Sequence, residues 1–75
     1  MTYLFKTRKL SDGYTLTENI KTATNLEDAI ERAKKMIPAE ETRFGQLVEI
    51  SIQTMWQDKT IEVARVNFAE ARVYR

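Results

Sequence analysis

The chain contains no cysteine and no histidine. The first absence rules out disulfides, thiol nucleophiles and cysteine–zinc sites. The second removes the usual general base at neutral pH and the commonest metal ligand. Only two glycines are present, Gly13 and Gly45, too few and too far apart for a phosphate-cradling loop. No apolar run approaches the roughly 20 residues that a membrane-spanning helix needs. The opening Met1-Thr2-Tyr3-Leu4-Phe5-Lys6 lacks the basic start and apolar block of a signal peptide. These absences lead us to expect one cytoplasmic domain, residues 1–75, with no cofactor, no metal, no membrane partner and no enzymatic activity. Metal binding would fall to carboxylates alone, with Glu40-Glu41 the nearest cluster, and acid–base work to a pair such as Asp58 with Glu62. Glu40-Glu41 reads as part of a solvated loop, and Asp58 with Glu62 would need an enclosed pocket to shift a pKa.

The apolar fraction of 43% is ordinary for a globular chain, so a folded core is expected. Twelve basic and 11 acidic side chains leave a net charge of +1, so a nucleic-acid or membrane partner would need local clustering of charge.

Residues 2–10 alternate, with Tyr3, Phe5 and Thr7 on one face and Leu4, Lys6, Arg8 and Leu10 on the other, which reads as a strand. Asp12-Gly13 predicts a two-residue hairpin turn, because a type I′ turn requires positive φ at both central positions. The alternation resumes over 14–21. Tyr14, Leu16 and Ile20 share a face that Glu18 interrupts; Thr15, Thr17, Asn19 and Lys21 share the other. Leu26, Ala29, Ile30, Ala33 and Ile37 recur at helical spacing. Thr24 stands three before Glu27, as in a capping box. Pro38 is expected to end this helix or to open one further short turn, since proline restricts its predecessor. Residues 38–46 read as a connection.

The clearest strand is 47–56, with Val48, Ile50 and Ile52 on one face and Glu49, Ser51 and Gln53 on the other. After a turn at 57–59, residues 60–68 form a fourth strand of mixed phase. Either a β-bulge near Ala64 or a strand apolar on both faces reconciles it. Residues 69–75 fit a short fifth strand or a terminal helix, with the strand favoured. The fold class is therefore α+β: an antiparallel sheet of four or five strands in ββαββ order, with one helix on one face. The expected core is Tyr3, Phe5, Tyr14, Leu16, Ile20, Leu26, Ala29, Ile30, Ala33, Ile37, Val48, Ile50 and Ile52, with Val63 or Val66.

A lone helix leaves the other sheet face open. Leu4, Lys6, Arg8, Leu10, Thr15, Thr17, Lys21, Leu47, Glu49, Ser51, Gln53 and Met55 are expected there, a mixture that suits a partner surface. Single-stranded nucleic acid is the alternative, though such sheets stack bases on outward aromatics. Here no aromatic is central, and Glu49 repels phosphate. Lys6, Arg8 and Lys9 form the densest basic run, with Arg72 and Arg75 candidates to lie beside it. Trp56 is either a rim residue closing the core or an interface anchor. The candidate partner-binding residues are Lys6, Arg8, Lys9, Lys21, Met55 and Trp56.

The stretch Ile20-Lys21-Thr22-Ala23-Thr24-Asn25-Leu26-Glu27-Asp28-Ala29, followed by Ala33, Leu47-Val48-Glu49-Ile50 and a last hairpin, resembles small phage-encoded inhibitors of host defence, the anti-CRISPR proteins. The likeness lies in the order of elements and carries no binding residue across. It implies a non-catalytic inhibitor, of phage or mobile-element origin, that works by surface contact with a host defence complex. A homo-oligomer joined through an edge strand is a third reading.

Overall fold

The computed structural model describes residues 1–74, apart from the Trp56 side chain. Five strands and one helix follow in the order β1 (Thr2–Lys9), β2 (Thr15–Thr22), α1 (Leu26–Phe44), β3 (Val48–Trp56), β4 (Lys59–Val66) and β5 (Ala71–Val73). The strands form one antiparallel sheet in the order β2-β1-β3-β4-β5. The expected α+β architecture is therefore present, and the tail is a fifth strand. The helix crosses β1, β3 and β4.

The core lies between helix and sheet. Tyr3 and Phe5 of β1, Val48, Ile50 and Ile52 of β3, and Ala64 and Val66 of β4 meet Ala29, Ile30, Ala33 and Ile37 of α1. The alternation of β1 and β3 decides this directly, because successive strand residues face opposite ways. A bulge between the pairs Ile52↔Ala64 and Gln53↔Glu62 makes Val63 the extra residue. It carries Ala64 and Val66 to the core side and Glu62 to the other, which resolves the mixed phase of β4.

Strand β2 departs from expectation. Its loop runs over residues 10–13, and only Gly13 has positive φ, at 76°. The Lys9 N–H donates to the Tyr14 carbonyl and the Gly13 N–H to the Lys9 carbonyl, both at 2.9 Å. A two-residue turn would have set Ile20 opposite Phe5. Instead Arg8 pairs with Thr15 and Thr7 with Thr17, so Leu16 is a bulged residue. One extra residue turns every later side chain to the other face. Asn19 now stands opposite Phe5 and Lys21 opposite Tyr3, while Ile20 stands opposite Leu4 and Glu18 opposite Lys6. Leu16 still packs on the core margin. Tyr14 (65% exposed) and Ile20 (63%) do not belong to the core.

The helix also differs at both ends. Asn25, not Thr24, is the N-cap, its Oδ1 accepting the Asp28 N–H at 2.9 Å. Asp28 reaches back to accept the Thr24 N–H at 2.9 Å. At the other end the helix runs through Pro38 to Phe44. Pro38 lies on the exposed side, where water can solvate the Lys34 carbonyl that loses its intrahelical donor. The helix-forming run after it and the packing of Phe44 on the core continue the element. Gly45, at φ 66°, closes it by donating to the Glu41 carbonyl at 2.9 Å. The Glu40-Glu41 pair is thus helical, and Glu41 Oε2 accepts the Val48 N–H at 3.3 Å, tying helix to sheet.

Candidate functional site

Every element other than α1 is a strand of the single sheet, so among the described residues no layer covers the sheet's second face. Register places Leu4, Lys6 and Arg8 of β1 there, beside Glu18 and Ile20 of β2. Glu49, Ser51, Gln53 and Met55 come from β3, Glu62 and Arg65 from β4, and Arg72 from β5.

The middle of this face is packed, although no element covers it. Ser51 is fully buried and Gln53 is 5% exposed, because longer side chains from the flanking strands fold over them. Glu62 organises the arrangement. Its carboxylate accepts a hydrogen bond from the Ser51 hydroxyl and both oxygens accept from Arg65 Nε at 3.0 Å. The Arg8 guanidinium lies 3.5 Å away, with its side chain 19% exposed. Gln53 Nε2 donates to Ser51 Oγ at 3.2 Å, extending the chain of contacts by one residue. Arg8 Nε is buried without a hydrogen-bond partner.

Partial burial works to raise the Glu62 pKa, but the Ser51 hydroxyl, Arg65 and Arg8 outweigh it and hold the carboxyl below its ordinary value. The Arg65 guanidinium is shifted upward, chiefly by its hydrogen bonds to Glu62. A carboxylate held in its charged form is a poor proton donor and a weak base at neutral pH. Asp58 lies exposed in the β3–β4 turn, while Glu62 spends its oxygens on β1, β3 and β4 partners.

Among the described residues, the four basic side chains that register puts on this face all have acidic neighbours. Lys6 stands 3.7 Å from Glu18, Arg8 3.5 Å and Arg65 3.0 Å from Glu62, and Arg72 3.4 Å from Glu70. Around this charged lattice lies an apolar margin. Ile20 flanks Leu4 on one side, and Met55, 43% exposed, lies at the β3 end.

Of the six sequence candidates, the structure brings Lys6, Arg8 and Met55 to the open face. Lys21 does not join them: it pairs with Tyr3 and so takes the helix side of the sheet, a consequence of the Leu16 bulge. Thr17 moves with it. Lys9 pairs with Val48, on the helix side of β1, and its ammonium lies 5.6 Å from the centroid of the Tyr14 ring. The Trp56 backbone pairs with Lys59; its side chain, and Arg75, lie outside the described residues. Sequence reasoning missed Glu62 and Arg65 as the organisers of the face. The β4 bulge hid them, because it puts Glu62 and Arg65, three residues apart, on one face, where regular alternation sets such residues on opposite faces. Glu18 carried a usable signal, since a carboxylate facing a lysine across a hairpin marks a solvent side.

The chain matches no protein-family model, no curated protein and no solved structure. No helix is long and apolar enough to cross a membrane, and no acidic cluster with metal-binding geometry occurs among the described residues.

Proposed function

We propose that this chain is a non-catalytic protein-binding module that meets its partner through the open face of the sheet. The observation that carries this reading is the internally paired lattice around Glu62, bordered by Leu4, Ile20 and Met55. A rigid polar centre with an apolar border fits a protein surface, where desolvated charges must already be matched. Nucleic acid is the weaker occupant. Phosphate contact would have to draw each cation away from a carboxylate, and the centre of the face offers no aromatic ring for stacking.

The finer reading, inhibition of a host defence complex by a phage or mobile-element product acting in the cytoplasm, rests on the order of elements described above. It predicts a partner that handles nucleic acid and loses that ability when this chain binds.

The test is capture of a partner on the immobilised chain, followed by titration with variants. Lys6→Glu and Met55→Ala should each weaken binding at least fivefold, while Lys34→Glu on the outer helix face should leave it unchanged. The opposite pattern would move the site to the helix. Retention of single-stranded nucleic acid at low salt, lost steeply as salt rises, would establish the alternative.

A further inference from the structure

We propose that β2 pairs with β2 of a second copy of this chain, antiparallel and about a two-fold axis at Ile20, joining the two five-stranded sheets into one. The sheet has unequal edges. On one side β5 is only three residues long, which protects that edge. On the other, β2 offers eight residues with no strand paired to its outer side among the described residues.

The direction of its backbone groups follows from one contact. Ala23 exchanges both bonds with Met1, donating its N–H at 2.9 Å and accepting from the terminal ammonium at 2.8 Å, so its polar groups point inward. Alternation along an antiparallel strand then turns Lys21, Asn19 and Thr17 inward and leaves Thr22, Ile20 and Glu18 pointing outward. The bulge at Leu16 breaks this row, so the usable edge runs from Glu18 to Thr22.

That edge is complementary to itself in one register. With the axis at Ile20, the two Ile20 side chains meet beside Leu4 of each copy. Asn19 falls opposite Lys21 of the second copy, an acceptor facing a donor. Glu18 falls opposite Thr22. A step of the axis to Glu18 would set two carboxylates together and run into the bulge. A step to Asn19 would place Glu18 against Ile20 and leave Lys21 facing Thr17. Only the first register matches apolar with apolar and charge with a hydrogen-bonding partner. It also accounts for an isoleucine 63% exposed on an edge strand.

The absence of cysteine makes the register directly readable. Directly opposed, hydrogen-bonded residues of an antiparallel pair have Cα atoms about 5.5 Å apart, within reach of a disulfide. Under air oxidation Ile20→Cys should form a disulfide dimer at least tenfold faster than Asn19→Cys, and the mixture of Asn19→Cys with Lys21→Cys should give the heterodimer. Sedimentation of the unmodified chain should show dimer growing with concentration, with Kd on the order of 0.1 mM for so small a contact. Ile20→Lys should be monomeric throughout with its melting temperature unchanged. A chain that stays monomeric to millimolar concentration, or Asn19→Cys oxidising faster than Ile20→Cys, would overturn the proposal.

Discussion

Replacing Glu62 with glutamine removes the one carboxylate that three donors share. Ser51, with no exposure to water, loses an ionised acceptor and keeps at best an amide oxygen. Arg8, four-fifths buried, loses its salt-bridge partner while its Nε is already without a hydrogen bond among the described residues. Arg65 loses two contacts at 3.0 Å but is 44% exposed, so water replaces much of what it gave up. Hydrogen bonds to charged groups contribute about 1.5–3 kcal/mol, and exposed ion pairs about 0.2–1 kcal/mol. Charging the Ser51 contact near the lower end, adding a partly screened Arg8 pair and allowing for relief of Glu62 desolvation gives a loss of about 2 kcal/mol. In a domain of this size that lowers the melting temperature by about 8–16 °C.

The pH dependence gives an independent check with a definite sign. Glu62 is held below its ordinary value of 4.5 in the folded chain and returns to it on unfolding. Its contribution is therefore complete above that ordinary value and is lost as pH falls through the lowered folded one. The gap between Glu62 and Glu62→Gln proteins, measured by urea unfolding with circular dichroism, should be full at neutral pH and shrink steadily in acid. A gap under about 0.5 kcal/mol at neutral pH, below the range for a charge-assisted bond, would refute the assignment of Glu62 as organiser. So would a gap that does not shrink as the pH is carried down from the ordinary value of 4.5 into acid.

Three further substitutions test the local readings by thermal or urea unfolding. Asn25→Ala should cost about 1 kcal/mol through the lost cap, whereas Thr24→Ala should cost less than half of that because its backbone N–H still reaches Asp28. Pro38→Ala should stabilise the chain by about 1–2 kcal/mol: it restores a donor for the Lys34 carbonyl, partly offset by a freer unfolded chain. Thr7→Val should stabilise by about 1 kcal/mol, since the Thr7 hydroxyl is fully buried without a partner and valine keeps the shape.

The parts of the fold that a reader of the sequence can place are those where one local rule acts alone. In β1 and β3 an uninterrupted period of two separates Tyr3, Phe5, Val48, Ile50 and Ile52 from Lys6, Arg8, Ser51 and Gln53, and the structure keeps that division. The stripe from Ala29 to Ile37 behaves the same way in α1. The errors arise where two rules compete. Asp12-Gly13 has the chemistry of a tight turn, yet Gly13 alone takes positive φ and the loop widens. At Pro38 a strong local breaker meets a helix whose next apolar contact, Phe44, lies on the same core; packing outweighs propensity because the proline faces water.

The Leu16 bulge shows why the site was harder to read than the fold. A bulge leaves strand, partner and topology intact, so the fold survives its omission. It nevertheless inverts every side chain beyond it, and a surface is defined by side chains. The shift moved Lys21 away from Lys6 and Arg8 and brought Ile20 and Glu18 in. The β4 bulge did the same for Glu62. Both corrections act together on the open face: Glu18 stands beside Lys6, and Glu62 lies against both Arg8 and Arg65, with Glu49 opposite Arg8 across the β1–β3 pair, so the cations of the mixed surface read from sequence have carboxylates beside them. This pairing bears on the choice of partner, since cations already held by carboxylates have less to offer a phosphate backbone, and a face of mixed polarity suits a protein surface.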